Sequence, residues 1–132
     1  MMDNRLIITK KDQQVLLKLL EATSSADPIT IKGRDRLQSE LMQANLLKEE
    51  EVPSDVVRIN SLVNLETPFG RKANIQLVLP HLADFQKGKL SVLSPMGTAL
   101  IGYKQGDQVN WHFRQGDEII TIEEVKNEHL VI

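Results

Sequence analysis

The chain has no cysteine, which excludes disulfides, thiolate nucleophiles and cysteine-ligated zinc. Aromatic residues are scarce at 4%, too few and too widely spread to line a deep aromatic pocket. Neither sign of charge dominates. The formal net charge is −2, and no Lys/Arg cluster offers the footprint that phosphate neutralisation requires, so no sequence-specific nucleic-acid binding is expected. No run approaches the ~20 apolar residues of a membrane-spanning helix. The opening "MMDNRLIITKKDQQ" holds no secretory apolar stretch, so a cytoplasmic protein is expected. Gly-x-Ser-x-Gly, phosphate-loop and dinucleotide-binding patterns are all missing. His81, His112 and His129 share no ligand spacing, so neither a metal nor a cofactor is expected.

What is present suits one compact chain. Hydrophobic residues make 41% and charged residues 26% of the 132 positions, a globular balance. The first third has helical period. Thr9, with Asp12 three residues on, marks a start, and Val15, Leu16, Leu19 and Leu20 follow on one face. "TSSADPITIKG", Thr23 to Gly33, reads as a loop, because Asp27-Pro28 disfavours helix across it. A second helix is expected from Arg34 to Leu46, with Leu37, Leu41 and Ala44 on one face. Two such helices shield their narrow apolar faces by packing antiparallel. "KEEEVPSD" is then a charged linker, its three glutamates read as solvated.

After Asp55 the period drops to two. Val57, Ile59, Ser61, Val63 and Leu65 alternate with their neighbours as one face of a strand. "ANIQLVLP" and "LSVLS" read as further strands, separated by the surface loop "HLADFQKGK". Pro95 opens a two-turn helix and Gly102 closes it. Val109, Trp111 and Phe113 share a strand face, on which Trp111 is read as core rather than as a ligand platform. "RQGD" is a hairpin turn before a last strand, "EIITIEEV". Helices first and strands after give an α+β fold with a mainly antiparallel sheet.

One set of words carries a resemblance. Ser94-Pro95, Ala99-Leu100-Ile101-Gly102 and Gly106-Asp107 resemble the signature of the Gre transcript-cleavage factors, and "EEVPSDVVRINSLV" resembles the Rnk subgroup, the regulators of nucleoside diphosphate kinase, over about residues 37 to 126. The resemblance implies a short helical hairpin over residues 1–50 and an FKBP-like domain over 51–132. It implies a bacterial transcription regulator, monomeric and without enzymatic activity, that docks on the β-type largest subunit of RNA polymerase near the secondary channel. Ser94, Pro95, Met96 and Gly97 are the implied docking residues, and Asp27 marks the hairpin tip. Gre factors carry two carboxylates at that tip to help hold a second magnesium. Here the expected tip has only Asp27, with Glu21 and Asp35 on the flanking helices, so channel occupancy in competition with Gre factors is expected, without cleavage. Two other readings stand beside this one: an interaction module for another partner, and a peptidyl-prolyl isomerase suggested by the fold type alone.

Overall fold

The computed structural model describes residues 5–24, 27–113 and 116–127. The order of elements is β1 (Ile7–Thr9), α1 (Lys10–Ala22), α2 (Pro28–Met42), β2 (Asn45–Leu47), β3 (Leu62–Thr67), β4 (Gly70–Val78), β5 (Lys89–Ser91), α3 (Pro95–Leu100), β6 (Gln108–Phe113) and β7 (Gly116–Lys126). The two long helices precede the five strands β3 to β7, as the change of period predicts, but the short strands β1 and β2 flank the helices and α3 lies between β5 and β6.

Thr9 caps α1 as expected, its hydroxyl accepting from the Asp12 amide at 3.1 Å. The start of α2 differs from expectation. The helix begins at Pro28, so the residues Pro28 to Gly33, expected in a loop, are helical. Asp27 is the N-cap and Pro28 the first helical residue, where a missing amide hydrogen and a fixed φ do no harm. The end of the helix also comes early, at Met42, because Asn45–Leu47 pairs in parallel with Ile7–Thr9. The two helices run antiparallel: Gln13, near the start of α1, donates to the Leu41 carbonyl near the end of α2 at 2.7 Å.

Five strands form the main sheet in the order β5-β4-β3-β7-β6. It is antiparallel as expected, except at one edge, where β5 runs parallel to β4. The strand read from Val56 begins only at Leu62. Upstream, Asn60 adopts φ 78°, a left-handed turn that breaks the alternation, and Ser61 caps that turn by accepting from the Arg58 amide at 2.7 Å. Asn127 closes the same corner from the far end of the chain. Its amide donates to the carbonyls of Ser54 and Val56, both at 2.8 Å, and its oxygen accepts from the Ser61 hydroxyl. Arg114 and Gln115 of the expected hairpin turn, and the side chains of His112 and Phe113, lie outside the described residues.

A single core joins helices and sheet. Leu16, Leu37 and Leu41 from the helices share it with Leu65, Leu77 and Ile122 from the sheet. Trp111 is buried within it, as read from the sequence. The α2–α3 crossing depends on Gly33, where a Cβ would stand 2.8 Å from the Thr98 hydroxyl. A larger residue there would push α2 away from the sheet layer.

Candidate functional site

The segment from Ser91 to Gly102 forms a tightly determined turn and helix. The Val92 amide donates to the Val78 carbonyl at 2.8 Å and closes the parallel edge. The Leu93 amide donates to the Ser91 hydroxyl at 3.0 Å, which tightens the bend. Ser94 caps α3: its hydroxyl accepts from the Gly97 amide at 3.0 Å and donates to the Ser91 carbonyl at 2.7 Å. Pro95 occupies the first helical position. Gly102 leaves the helix at φ 85°, and a Cβ there would also strike Leu6 at 2.8 Å, so glycine is needed twice over.

The four residues expected to dock are brought together, but they do not present themselves equally. Ser94, Pro95 and Met96 are half-buried, and Met96 leans on the core. Gly97 is fully inside. A Cβ on it would collide with the Ser91 carbonyl oxygen and with Val92 Cα at 3.0 Å, so its missing side chain lets α3 lie against the chain that leads into it. The outward surface of the turn is therefore made by Ser94 and Pro95 with part of Met96.

Asp27, the residue expected at the hairpin tip, is the N-cap of α2. Its carboxylate accepts from the Thr30 amide at 3.1 Å and from the Thr30 hydroxyl at 2.7 Å, as a helix cap does. Asp27 lies six residues before Gly33 on α2, so the tip stands only about 9 Å beyond the α2–α3 crossing. Among the described residues, no group of His, Cys, Asp or Glu could hold a metal ion. His81 is exposed, and His129 lies outside the described residues.

Two charged seams tie the hairpin to the rest. Arg58 is 3.2 Å from Asp12 on α1 and 2.6 Å from Glu49 of the linker. Burial works against its charge, but the hydrogen bonds it donates to Glu49 and Asp12, with their negative charges, outweigh it and raise its pKa. A groove of about 750 Å³ beside this triad is lined by Thr9, Lys10, Asp12, Lys48, Glu49 and others, and shares no residue with the turn.

The second seam joins α2 to the segment after α3. Glu40 lies 3.2 Å from Arg36 and 3.5 Å from the Tyr103 hydroxyl, and its second carboxylate oxygen is buried with no partner among the described residues. Burial raises the Glu40 pKa, and Arg36 offsets this only in part. The folded state thus binds this proton more tightly than the unfolded chain. Its contribution to stability is full below the ordinary carboxylate range and is lost as pH rises through the raised value. Glu40→Gln is expected to be more stable than the parent at pH 7, and to lose that advantage by pH 4. Urea midpoints across this range test it, and an equal difference at both ends would refute it.

The family model for "Transcription elongation factor, GreA/GreB, C-term" matches residues 52–127, more than half of the chain and the whole of the sheet layer. The chain belongs to the GreA/GreB family. The family's C-terminal unit thus contains β3 to β7, α3 and the Ser94 turn. A "Regulator of nucleoside diphosphate kinase" from Escherichia coli (strain K12) is 34% identical over 113 residues, which is 84% of this chain and 80% of the relative. The transcription elongation factor GreA of Clostridium acetobutylicum is 31% identical over 102 residues, 76% of this chain and 65% of that factor. Among solved structures, a "Prokaryotic transcription elongation factor GreA/GreB from Nitrosomonas europaea" superposes with TM-score 0.74 at 33% identity, covering 95% of this chain and all of that one. The likeness to regulator and elongation factors alike agrees with the two motif sets read from the sequence. Among the described residues, no helix is long and apolar enough to cross a membrane.

Proposed function

We propose that this GreA/GreB-family chain is a bacterial transcription regulator that docks on RNA polymerase at the rim of the secondary channel and occupies the channel mouth without stimulating transcript cleavage. Residues 51–132 act as the docking domain and residues 1–50 as a short arm. The Ser94–Pro95 turn carries the reading. It is already locked by a side-chain cap and a proline, so little conformational entropy is lost when a partner seats on it. Ser94, Pro95 and Met96 make the contact, and Gly97 supports the turn from beneath.

The arm argues against cleavage. Helix α1 has 13 residues, about 20 Å at 1.5 Å per residue, and most of the hairpin lies against the domain. The tip carboxylate of Asp27 caps α2, whereas holding a catalytic magnesium needs oxygen ligands from more than one group. Competition with Gre-type factors for the channel is then the mechanism, in the cytoplasm and as a monomer. An isomerase reading gains no support from the aromatics. Phe69 and Phe85 are exposed and Trp111 is buried, so these three do not converge on one pocket.

The test is fluorescence anisotropy of the labelled chain with core bacterial RNA polymerase. The expected result is saturable binding that a Gre factor displaces, with no shortening of arrested transcripts when this chain is added. Absence of binding at tens of micromolar polymerase would overturn the docking reading. Transcript shortening would overturn the occupancy-only mechanism.

A further inference from the structure

The groove beside Arg58 is built around a cation that the chain itself keeps covered. The Arg58 amide is held on the Ser61 hydroxyl at 2.7 Å, and the side chain is only 17% exposed. Two carboxylates meet it, and they differ. Asp12 is 18% exposed and belongs to the first turn of α1. Glu49 is 67% exposed and sits on a short turn of the linker, Glu49–Glu51. Both accept from the same guanidinium nitrogen, Nη2, so neither takes the two-pronged grip that a guanidinium offers an oxyanion.

The rest of the groove divides into a cationic part and an apolar part. Lys10, Lys11 and Lys48 line it, and among the described residues none of the three pairs with a carboxylate. Glu51, the remaining acid of the lining, is engaged by the linker, where it accepts from the Lys48 amide at 2.9 Å. With Glu49 withdrawn from Arg58, the three lysines and Arg58 face only Asp12 and Glu51. Leu46 and Leu47 supply an apolar wall, and Leu46 is among the large hydrophobic side chains left exposed. At about 750 Å³ the groove is much larger than a phosphate group needs and lies within the range of small-molecule sites.

We infer that this groove is a binding site for a small organic phosphate, whose phosphate group displaces Glu49 from Arg58 among Lys10, Lys11 and Lys48, and whose apolar body lies along Leu46 and Leu47. Glu49 is then an internal competitor of the ligand. Its exposed carboxylate on a three-residue turn exchanges more readily than Asp12, which stays on Arg58. A phosphate dianion carries more charge than the carboxylate it replaces, and its oxygens match the guanidinium fork. The groove shares no residue with the Ser94 turn, so its test needs no polymerase.

The test is isothermal titration calorimetry of the full chain with phenyl phosphate and with inorganic phosphate, at about pH 8 and fixed ionic strength, with a thermal melt of each variant as folding control. Phenyl phosphate is expected to bind saturably with a Kd of about 1 mM or below, and about tenfold more tightly than inorganic phosphate. Glu49→Gln removes the competitor and is expected to bind it about three- to tenfold more tightly. Glu50→Gln makes the same charge change at an exposed neighbour outside the groove lining, and its affinity is expected to stay within about twofold of the parent. The Lys10→Ala/Lys48→Ala double variant is expected to bind about tenfold more weakly. Absence of saturable binding at about 10 mM phenyl phosphate overturns the site. Equal affinity for inorganic phosphate leaves an adventitious ion only and overturns the organic ligand. Parent-like affinity in the lysine double variant puts the ligand elsewhere and overturns the groove. No tightening in Glu49→Gln, or equal tightening in Glu50→Gln, overturns the displacement of Glu49.

Discussion

Replacing Gly97 with alanine is expected to destabilise the whole fold by about 3 kcal/mol, near the upper end for overpacking by one methyl group. The added Cβ would meet the Ser91 carbonyl oxygen and the Val92 backbone, with Val92 Cα at 3.0 Å. These are main-chain atoms held by the parallel edge, through the Val92 amide on the Val78 carbonyl, so no flexible side chain can yield. Relief requires α3 to lift away from β5. That movement would spoil the Ser94 cap and the contacts of Ala99 and Leu100, both buried to within 1% of completely. For a chain of this size the thermal midpoint should fall by about 10 °C. Urea and thermal unfolding of Gly97→Ala measure this directly. A midpoint within one or two degrees of the parent would show that the turn repacks freely, and Gly97 would then lose its role as a packing residue.

Pro95→Asp is expected to do the opposite: keep the fold and lose the partner. Position 95 is the first residue of α3, where an aspartate is favoured by the helix dipole. The hydrogen bond that the Thr98 hydroxyl donates, at 2.8 Å, falls on the backbone carbonyl of residue 95 and survives the change. Loss of the proline ring costs about 0.4–1 kcal/mol through the greater freedom of the unfolded chain. At the proposed interface the substitution exchanges an apolar ring for a carboxylate that must give up its hydration to seat. The affinity for polymerase should fall about thirtyfold or more, the scale of losing a central anchor residue. Anisotropy titration with a circular-dichroism melt as control separates the two effects. Parent-like affinity in a folded Pro95→Asp chain would remove the turn from the interface.

These two substitutions, two residues apart, differ in effect because one side of the turn faces the molecule and the other faces outward. The motif words around Ser94-Pro95 identify the family but do not tell which side is which. The Cβ direction at residue 97 is set by how α3 lies on β5, and β5 is placed by its parallel pairing with β4. A parallel pair needs a long crossover and leaves no hairpin signal between its strands. The sequence therefore shows "HLADFQKGK" as a surface loop without showing that it carries the chain back to start a parallel edge strand.

The start of α2 illustrates a different failure. Asp-Pro is ambiguous: it stops a helix that precedes it and starts one that follows. The deciding residue is Thr30, which hydrogen-bonds the Asp27 carboxylate through both its amide and its hydroxyl. Asn60 shows a third kind. One residue at φ 78° interrupts an alternation that otherwise continues for ten residues, and it holds that conformation because the corner is closed by Ser61 and by Asn127 from the far end of the chain.

What the sequence by itself determined is local or combinatorial. The Thr9 cap, the helix that Pro95 opens, the shift from helical to strand period, the burial of Trp111 and the family motifs all depend on neighbours within a few positions, and each was legible. Only the tertiary structure decided the rest: the pairing of Ile7–Thr9 with Asn45–Leu47, the parallel edge at β5, the seams at Arg58 and Glu40, and the inward face of Gly97. Each of these joins segments far apart in the chain. Such contacts form because together they bury one continuous core, and no short window of residues carries the energy of that burial.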